Sequence, residues 1–250
     1  MDLYEAFALS PGAIVACVGG GGKTSLVHAL AAEAASRGLS ALVASTTKFT
    51  RPSGREMPPT LESTDSHAVE AVRSALQPGS VLALSAGEGT HSRITGFEPE
   101  TIDALSALKL GLIAVEADGA AHRPFKAPAN HEPVIPASST HVIVCVGLQV
   151  LGRPLDSAWV HRPELVAGLS NTAIGDPVTA DIILAVLLHE LGGRKGVPAG
   201  ARLSALLNGP STAEHERLGA HIAERLVYGG YHRAVVATAH VARDIRAVVR

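Results

Sequence analysis

Aromatic side chains are scarce in this chain, with four Phe, three Tyr and one Trp in 250 residues. A core must then be assembled from Ala, Val, Leu and Ile. A protein that stacks bases on aromatic platforms is not expected from so few rings. A positive excess is missing too: the formal net charge is −2, which argues against a broad nucleic-acid-binding face while leaving room for local basic patches. Cysteine is limited to Cys17 and Cys145, each inside an apolar run. Two isolated cysteines make neither a zinc site nor a disulfide framework, and they read as small buried residues in a reducing compartment. No apolar stretch approaches the ~20 residues that span a bilayer, and the richest, 178–188, contains Asp181. Asp2 and Glu5 precede any basic residue, unlike the start of a secretory leader. The expectation is a cytoplasmic protein with neither a nucleic-acid partner nor a membrane association.

What is present is a folded core. The 46% hydrophobic content and small net charge lie far from the composition of disordered chains. A chain of this length suits one large domain over 1–250, with an irregular subregion at 148–200. Short apolar runs at 13–18, 41–45, 81–85, 112–116, 141–146, 202–207 and 234–237 read as strands. Several are continuously apolar, as strands covered on both faces are. Helical patterns fall between them at 24–36, 67–76, 99–108, 179–191 and 211–227. The alternation predicts an α/β fold with a doubly wound, mostly parallel sheet of P-loop NTPase type. Two stretches interrupt the rhythm. Residues 51–60 read as a surface loop, and 119–139, with four prolines, is long enough to suggest function.

The sharpest motif is Gly19-Gly20-Gly21-Gly22-Lys23-Thr24-Ser25, which follows a strand and opens a helix. Four glycines remove every side chain from the turn, so backbone N–H groups can converge on an anion at the helix start. Lys23 can reach terminal phosphates, the Thr24 hydroxyl can ligate Mg²⁺, and Ser25 joins the phosphate-binding set. The spacing departs from the longer Walker A form, since Cys17 stands where its first glycine belongs. A dinucleotide fingerprint would not account for Lys-Thr at the helix start.

The run 112–116 ends in Glu116, with Asp118 two residues on. Strand alternation puts both carboxylates on one side, and the carboxyl ends of parallel strands are where ligands bind. One acid can hold Mg²⁺ and the other can orient or deprotonate a nucleophile; the residues do not separate the roles. The second strand delivers Thr46, Thr47 and Lys48 toward the same site, with Thr47 a candidate for Mg²⁺ or γ-phosphate. Arg123 and Lys126, in the proline-rich loop, are candidates to face a second anionic substrate or the leaving charge, and His122 and His131 to move protons. His161-Arg162-Pro163-Glu164 reads as ordinary helix-start chemistry. Asn208 ends a late strand and can read a purine edge, although Asn208-Gly209 is also a turn signal.

Taken in order, these segments resemble the YqeC family of selenium-dependent hydroxylase or molybdenum hydroxylase accessory proteins. The carriers are the glycine loop, Ser45-Thr46-Thr47-Lys48, Glu116-Ala117-Asp118-Gly119-Ala120 with His122-Arg123-Pro124-Phe125-Lys126-Ala127-Pro128, His131-Glu132-Pro133, His161-Arg162-Pro163-Glu164 and Leu207-Asn208. The resemblance implies a role in maturing the selenium or molybdenum cofactor of hydroxylases, with such a hydroxylase as client. Together with the glycine loop it frames the expected activity: Mg²⁺-dependent hydrolysis of ATP or GTP, or transfer of a phosphoryl group to a small molecule. A nucleotide-switched chaperone and a pterin nucleotidyltransferase remain the alternatives.

Overall fold

The computed structural model describes residues 1–47, 49, 50, 58–87, 93–241 and 244–250. A nine-stranded sheet runs through the molecule. From one edge to the other its strands are Ile245–Val249, Arg233–Ala237, Arg202–Asn208, His141–Gly147, Ala13–Gly19, Leu112–Glu116, Ala41–Ser45, Val81–Ser85 and Thr60–Glu62. All pairs are parallel except the outermost, where Ile245–Val249 runs against Arg233–Ala237. The fold is therefore α/β, doubly wound and mostly parallel. No helix among the described residues is long and apolar enough to cross a membrane.

Side chains of the Ala13–Gly19 strand alternate between two apolar layers. Val15 and Cys17 pack with Leu26, Leu30 and Ala34 of helix Lys23–Ala35 and with the short N-terminal helix Leu3–Ala6. Ile14 and Ala16 face the opposite layer. There Ala68–Ala75 and Pro99–Leu105 cover one half of the sheet, and Ala180–Leu188 and Ala213–Tyr228 cover the other. Covering on both faces is why the central strands read as unbroken apolar runs.

The helices predicted at 179–191 and 211–227 begin where threonines cap them. Thr179 accepts from the Ile182 N–H and Thr212 from the His215 N–H, each satisfying an orphan donor of the first turn. Helix Lys23–Ala35 differs, for its cap is Gly22 and no side chain bonds its first turn. The long proline-rich stretch is tied down by a small parallel pair, Phe125–Lys126 beside Val160–His161. The loop expected at 51–60 lies mostly outside the described residues.

The chain order places a switch at Ala13–Gly19. From that strand the chain winds outward to Ala41–Ser45, Thr60–Glu62 and Val81–Ser85, then returns to insert Leu112–Glu116 beside it. It next crosses to His141–Gly147 on the other flank. Doubly wound sheets bind their ligands at such reversals, beyond the carboxyl ends of the strands. Here the reversal coincides with the glycine loop.

Leu30 is fully buried between its helix and the sheet. Leu30→Ala should lower unfolding free energy by about 2–5 kcal/mol, read from the denaturation midpoint in urea. An unchanged midpoint would mean that this helix does not seal the sheet face.

Candidate functional site

The turn after Ala13–Gly19 is tightly packed. A Cβ on Gly20 would stand 2.8 Å from Phe125 N and 2.9 Å from Arg123 O. Gly22 takes φ 116° at the start of the helix, a region open to glycine at little cost. Two amides of the glycine run point into the protein. Gly19 N–H donates to Asp118 Oδ2 at 2.9 Å, and Gly20 N–H donates to Cys145 O at 2.9 Å. This corrects the expectation that residues 19–22 act as one cradle. The amides without a protein acceptor among the described residues are those of Gly21, Gly22, Lys23, Thr24 and Ser25, since the first helical bond is Leu26 N–H to Gly22 O. Five free donors at a helix start, uncapped by any side chain, suit an anion.

Lys23 is 4% exposed. Its ammonium donates to Gly19 O at 2.5 Å and lies 3.2 Å from Asp118 Oδ1 and 3.9 Å from Glu116 Oε1. Burial works to lower its pKa, but the two carboxylates outweigh burial and hold it above the ordinary lysine value. Thr24 Oγ1 donates to Glu116 Oε2 at 2.8 Å. Burial raises the Glu116 carboxyl above the usual range, against the pull of Lys23 and Thr24.

The two acids part company in the structure. Glu116 lines a cleft of about 700 Å³ together with Gly21, Gly22, Lys23, Thr24 and Ser25. Asp118 lies beneath the loop, 2% exposed, where it holds the Gly19 amide, Lys23, and Lys126 at 3.0 Å. It does not line that cleft, so it is not placed to ligate a metal there as expected.

Lys126 is corrected in the same way. It is buried, and its ammonium bridges Asp118 to Glu132 Oε2 at 2.5 Å, so it faces no second substrate. Glu132 in turn receives Arg162 in two-pronged fashion, Nη1 at 2.6 Å and Nη2 at 3.2 Å. Burial would raise the Glu132 carboxyl, but the hydrogen bonds and charges of Arg162 and Lys126 bring it down to about 2.

Three further expectations are revised. Asn208 does line the cleft, but its amide is committed: Nδ2 donates to Gly21 O at 3.2 Å and Oδ1 accepts from the Ala239 N–H at 2.9 Å. It fastens the glycine loop to the neighbouring strand ends instead of standing open to a base. Thr46 Oγ1 is turned to Val134 O, and Thr47 Oγ1 is buried; neither lines the cleft. Lys48 lies outside the described residues. His131 is exposed away from the cleft.

The far wall of the cleft is formed by 119–123, with His122 and Arg123, and by His161. Gln149 also lines it and had drawn no attention in the sequence. Its Oε1 would meet a Cβ on Gly147 at 2.6 Å. Its signal was position alone, just past the carboxyl end of a strand beside the loop. Among the described residues no cluster of three His, Cys, Asp or Glu forms a metal site. The Thr24–Glu116 pair does suit Mg²⁺, which takes few protein oxygens and completes its octahedron with phosphates and water.

The family described as YqeC protein matches residues 15–164, a span that holds the glycine loop, both acids and Arg162. A relative from Escherichia coli (strain K12), the "Uncharacterized protein YqeC", is 32% identical over 203 residues, covering 81% of this chain and 78% of its own. No solved structure matches significantly.

The Glu132 pairing carries a pH signature. Its carboxyl ionises more easily folded than unfolded, so the pairing stabilises above about pH 4.5, the ordinary value, and that stabilisation fades as pH falls toward 2. Glu132→Gln should cost about 3–5 kcal/mol near neutrality by stranding its cations, and the gap from the parent should narrow on acidification. Urea titrations between pH 7 and 3 check this; a constant gap would contradict the buried pairing.

Proposed function

The chain belongs to the YqeC family, and from that premise and the geometry of the cleft we propose that it is a P-loop protein binding a Mg²⁺–nucleoside triphosphate, ATP or GTP. The single observation that carries the reading is the run of five unpaired amides, 21–25, backed by the Lys23 ammonium and opening on the cleft. Such amides have no useful partner in the apolar core, whereas an oxyanion satisfies all of them at once.

Each residue then has a part in binding. The amides of Gly21 through Ser25 receive phosphate oxygens. Lys23 offsets their charge from below, and its place between Asp118 and Glu116 keeps the ammonium protonated. Thr24 holds Mg²⁺ by its hydroxyl, and Glu116, bonded to Thr24, completes the shell directly or through water. Bound Mg²⁺ supplies neutralisation of charge on the phosphate oxygens. Asn208 and Asp118 keep the loop in shape from its two sides. Gln149 and His122 are among the polar residues of the cleft and can orient a water or an acceptor hydroxyl.

The activity we propose is hydrolysis of the triphosphate or transfer of its terminal phosphoryl group, in the service of selenium or molybdenum cofactor maturation of hydroxylases. The cofactor role rests on the family resemblance. Product analysis separates the readings: phosphate released to water marks a hydrolase, a phosphorylated small molecule marks a kinase, pyrophosphate marks a nucleotidyltransferase, and tight binding without product marks a switch that loads a client.

Calorimetry with ATP, GTP and CTP in the presence of Mg²⁺ tests the binding. Thr24→Ala should weaken Mg²⁺-dependent affinity by roughly 10–100-fold, the worth of a charge-assisted contact. Lys23→Gln should do the same; glutamine keeps a donor between Asp118 and Glu116, which alanine would not. If neither variant alters affinity in protein of unchanged secondary structure, the glycine loop is not the phosphate site.

A further inference from the structure

The cleft is larger than a triphosphate tail needs, and its far wall has a chemistry of its own. His122, Arg123 and His161 line that wall. Glu116, bonded to Thr24 and within electrostatic reach of His122, is the sole carboxylate among the cleft's described lining residues. Nitrogen donors beside a single carboxylate that Lys23 and Thr24 already engage are suited to an oxyanion.

The wall is built rather than draped. Arg123 Nε donates to Ser157 O at 2.7 Å, which fixes the guanidinium and leaves its terminal nitrogens for another acceptor. His161 is held in register with Lys126 by the small parallel pair. The backbone beneath is strained in a way that such sites favour. Ala121, His122 and Arg162 have φ of 46°, 58° and 60°, three of the six non-glycine residues with positive φ among those described. Backbone of this kind persists only where its surroundings hold it. Here Pro124 O accepts from the Gly147 N–H at 2.8 Å, and Gly20 packs against residues 123–125. The wall is thus locked to the glycine loop at a set separation.

We infer that this wall, formed by His122, Arg123 and His161, binds a second substrate through an oxyanion group, phosphoryl or carboxylate, while the glycine loop holds the nucleotide. The inference rests on the nucleotide reading for the identity of the first ligand. The wall's preference for an oxyanion rests on its own side chains. Arg123 supplies the charge, and the two histidines supply further donors. Arg162 does not line the cleft; it pairs with Glu132, which in turn holds Lys126.

The test is calorimetric titration of inorganic phosphate, and separately of succinate, into the protein saturated with a Mg²⁺–imidotriphosphate of ATP or GTP. Phosphate or succinate should bind once per chain, and the preferred one identifies the group recognised. Arg123→Gln and the double variant His122→Asn/His161→Asn should each weaken that binding at least about tenfold, the loss of one charged hydrogen bond. Imidotriphosphate affinity should stay within about threefold of the parent. The imidazole pair serves as the independent arm should Arg123→Gln unfold, with thermal melting as the control. If neither anion binds at millimolar concentration, or binding ignores both variants, the inference is overturned. It is equally overturned if imidotriphosphate abolishes anion binding, because the wall then belongs to the nucleotide. If no imidotriphosphate binds but phosphate or succinate still depends on Arg123 and the imidazoles, the nucleotide reading falls and the oxyanion wall stands.

Discussion

Arg162, Glu132, Lys126, Asp118 and Lys23 form an unbroken line of alternating charges, from the start of a helix to the underside of the glycine loop. Taking charges out of water is expensive, and a buried pair often contributes little net stability. What such a line does contribute is geometry. Each carboxylate is ion-paired with two cations, and Asp118 Oδ2 also accepts from the Gly19 amide. Each inner member touches two others, so the position of one fixes the positions of its neighbours and the line holds one arrangement. Four sequence segments, the glycine loop, the acidic strand end, the proline-rich loop and the 161–164 turn, meet in this one interaction.

That arrangement explains the shape of the cleft. Asp118 pulls on the Gly19 amide from below while Asn208 holds Gly21 O from the side. The loop between is turned so that the amides from Gly21 onward face outward. Lys126 brings the proline-rich segment against the loop, and its strand partner His161 comes with it. The wall and the loop are two ends of one rigid assembly. A ligand touching both would find their separation already set, and preorganised donors act without reorganising when charge arrives.

The sheet was legible because its strands are buried on both faces and announce themselves as unbroken apolar runs. The edge strands Thr60–Glu62 and Ile245–Val249 were not, since they are short or half-exposed and carry no such run. At the site, the glycine run and Glu116 were legible from local rules. Asp118 was not separated from Glu116, because alternation along a strand holds only to its end, and this strand stops at Glu116. Beyond it the chain turns, and Asp118 goes under the loop. Lys126 was misread because a lysine in a long polar loop looks exposed. Its partners lie eight residues before and six after, at spacings that no helix or strand period marks. Asn208 looked like a base reader because its neighbour is a strand end; its use is to brace a glycine loop nearly two hundred residues away in sequence.

The doubling of partners at Asp118 bears on how Lys23 can serve a ligand. A lysine that alone neutralised a buried carboxylate would be bound to it, because leaving would strand the acid at a cost of several kcal/mol. Here Asp118 keeps Lys126 and the Gly19 amide even if the Lys23 ammonium shifts, and Glu116 keeps the Thr24 hydroxyl. The ammonium is therefore free to redistribute its bonds toward an arriving phosphate without leaving either acid bare. The line of charges thus keeps Lys23 charged and in place, and it also makes the movement of that charge by a fraction of an ångström inexpensive. A single ion pair would supply the first property and forfeit the second, which gives a physical reason for Lys126 and Glu132 to be buried behind a site that they do not enter.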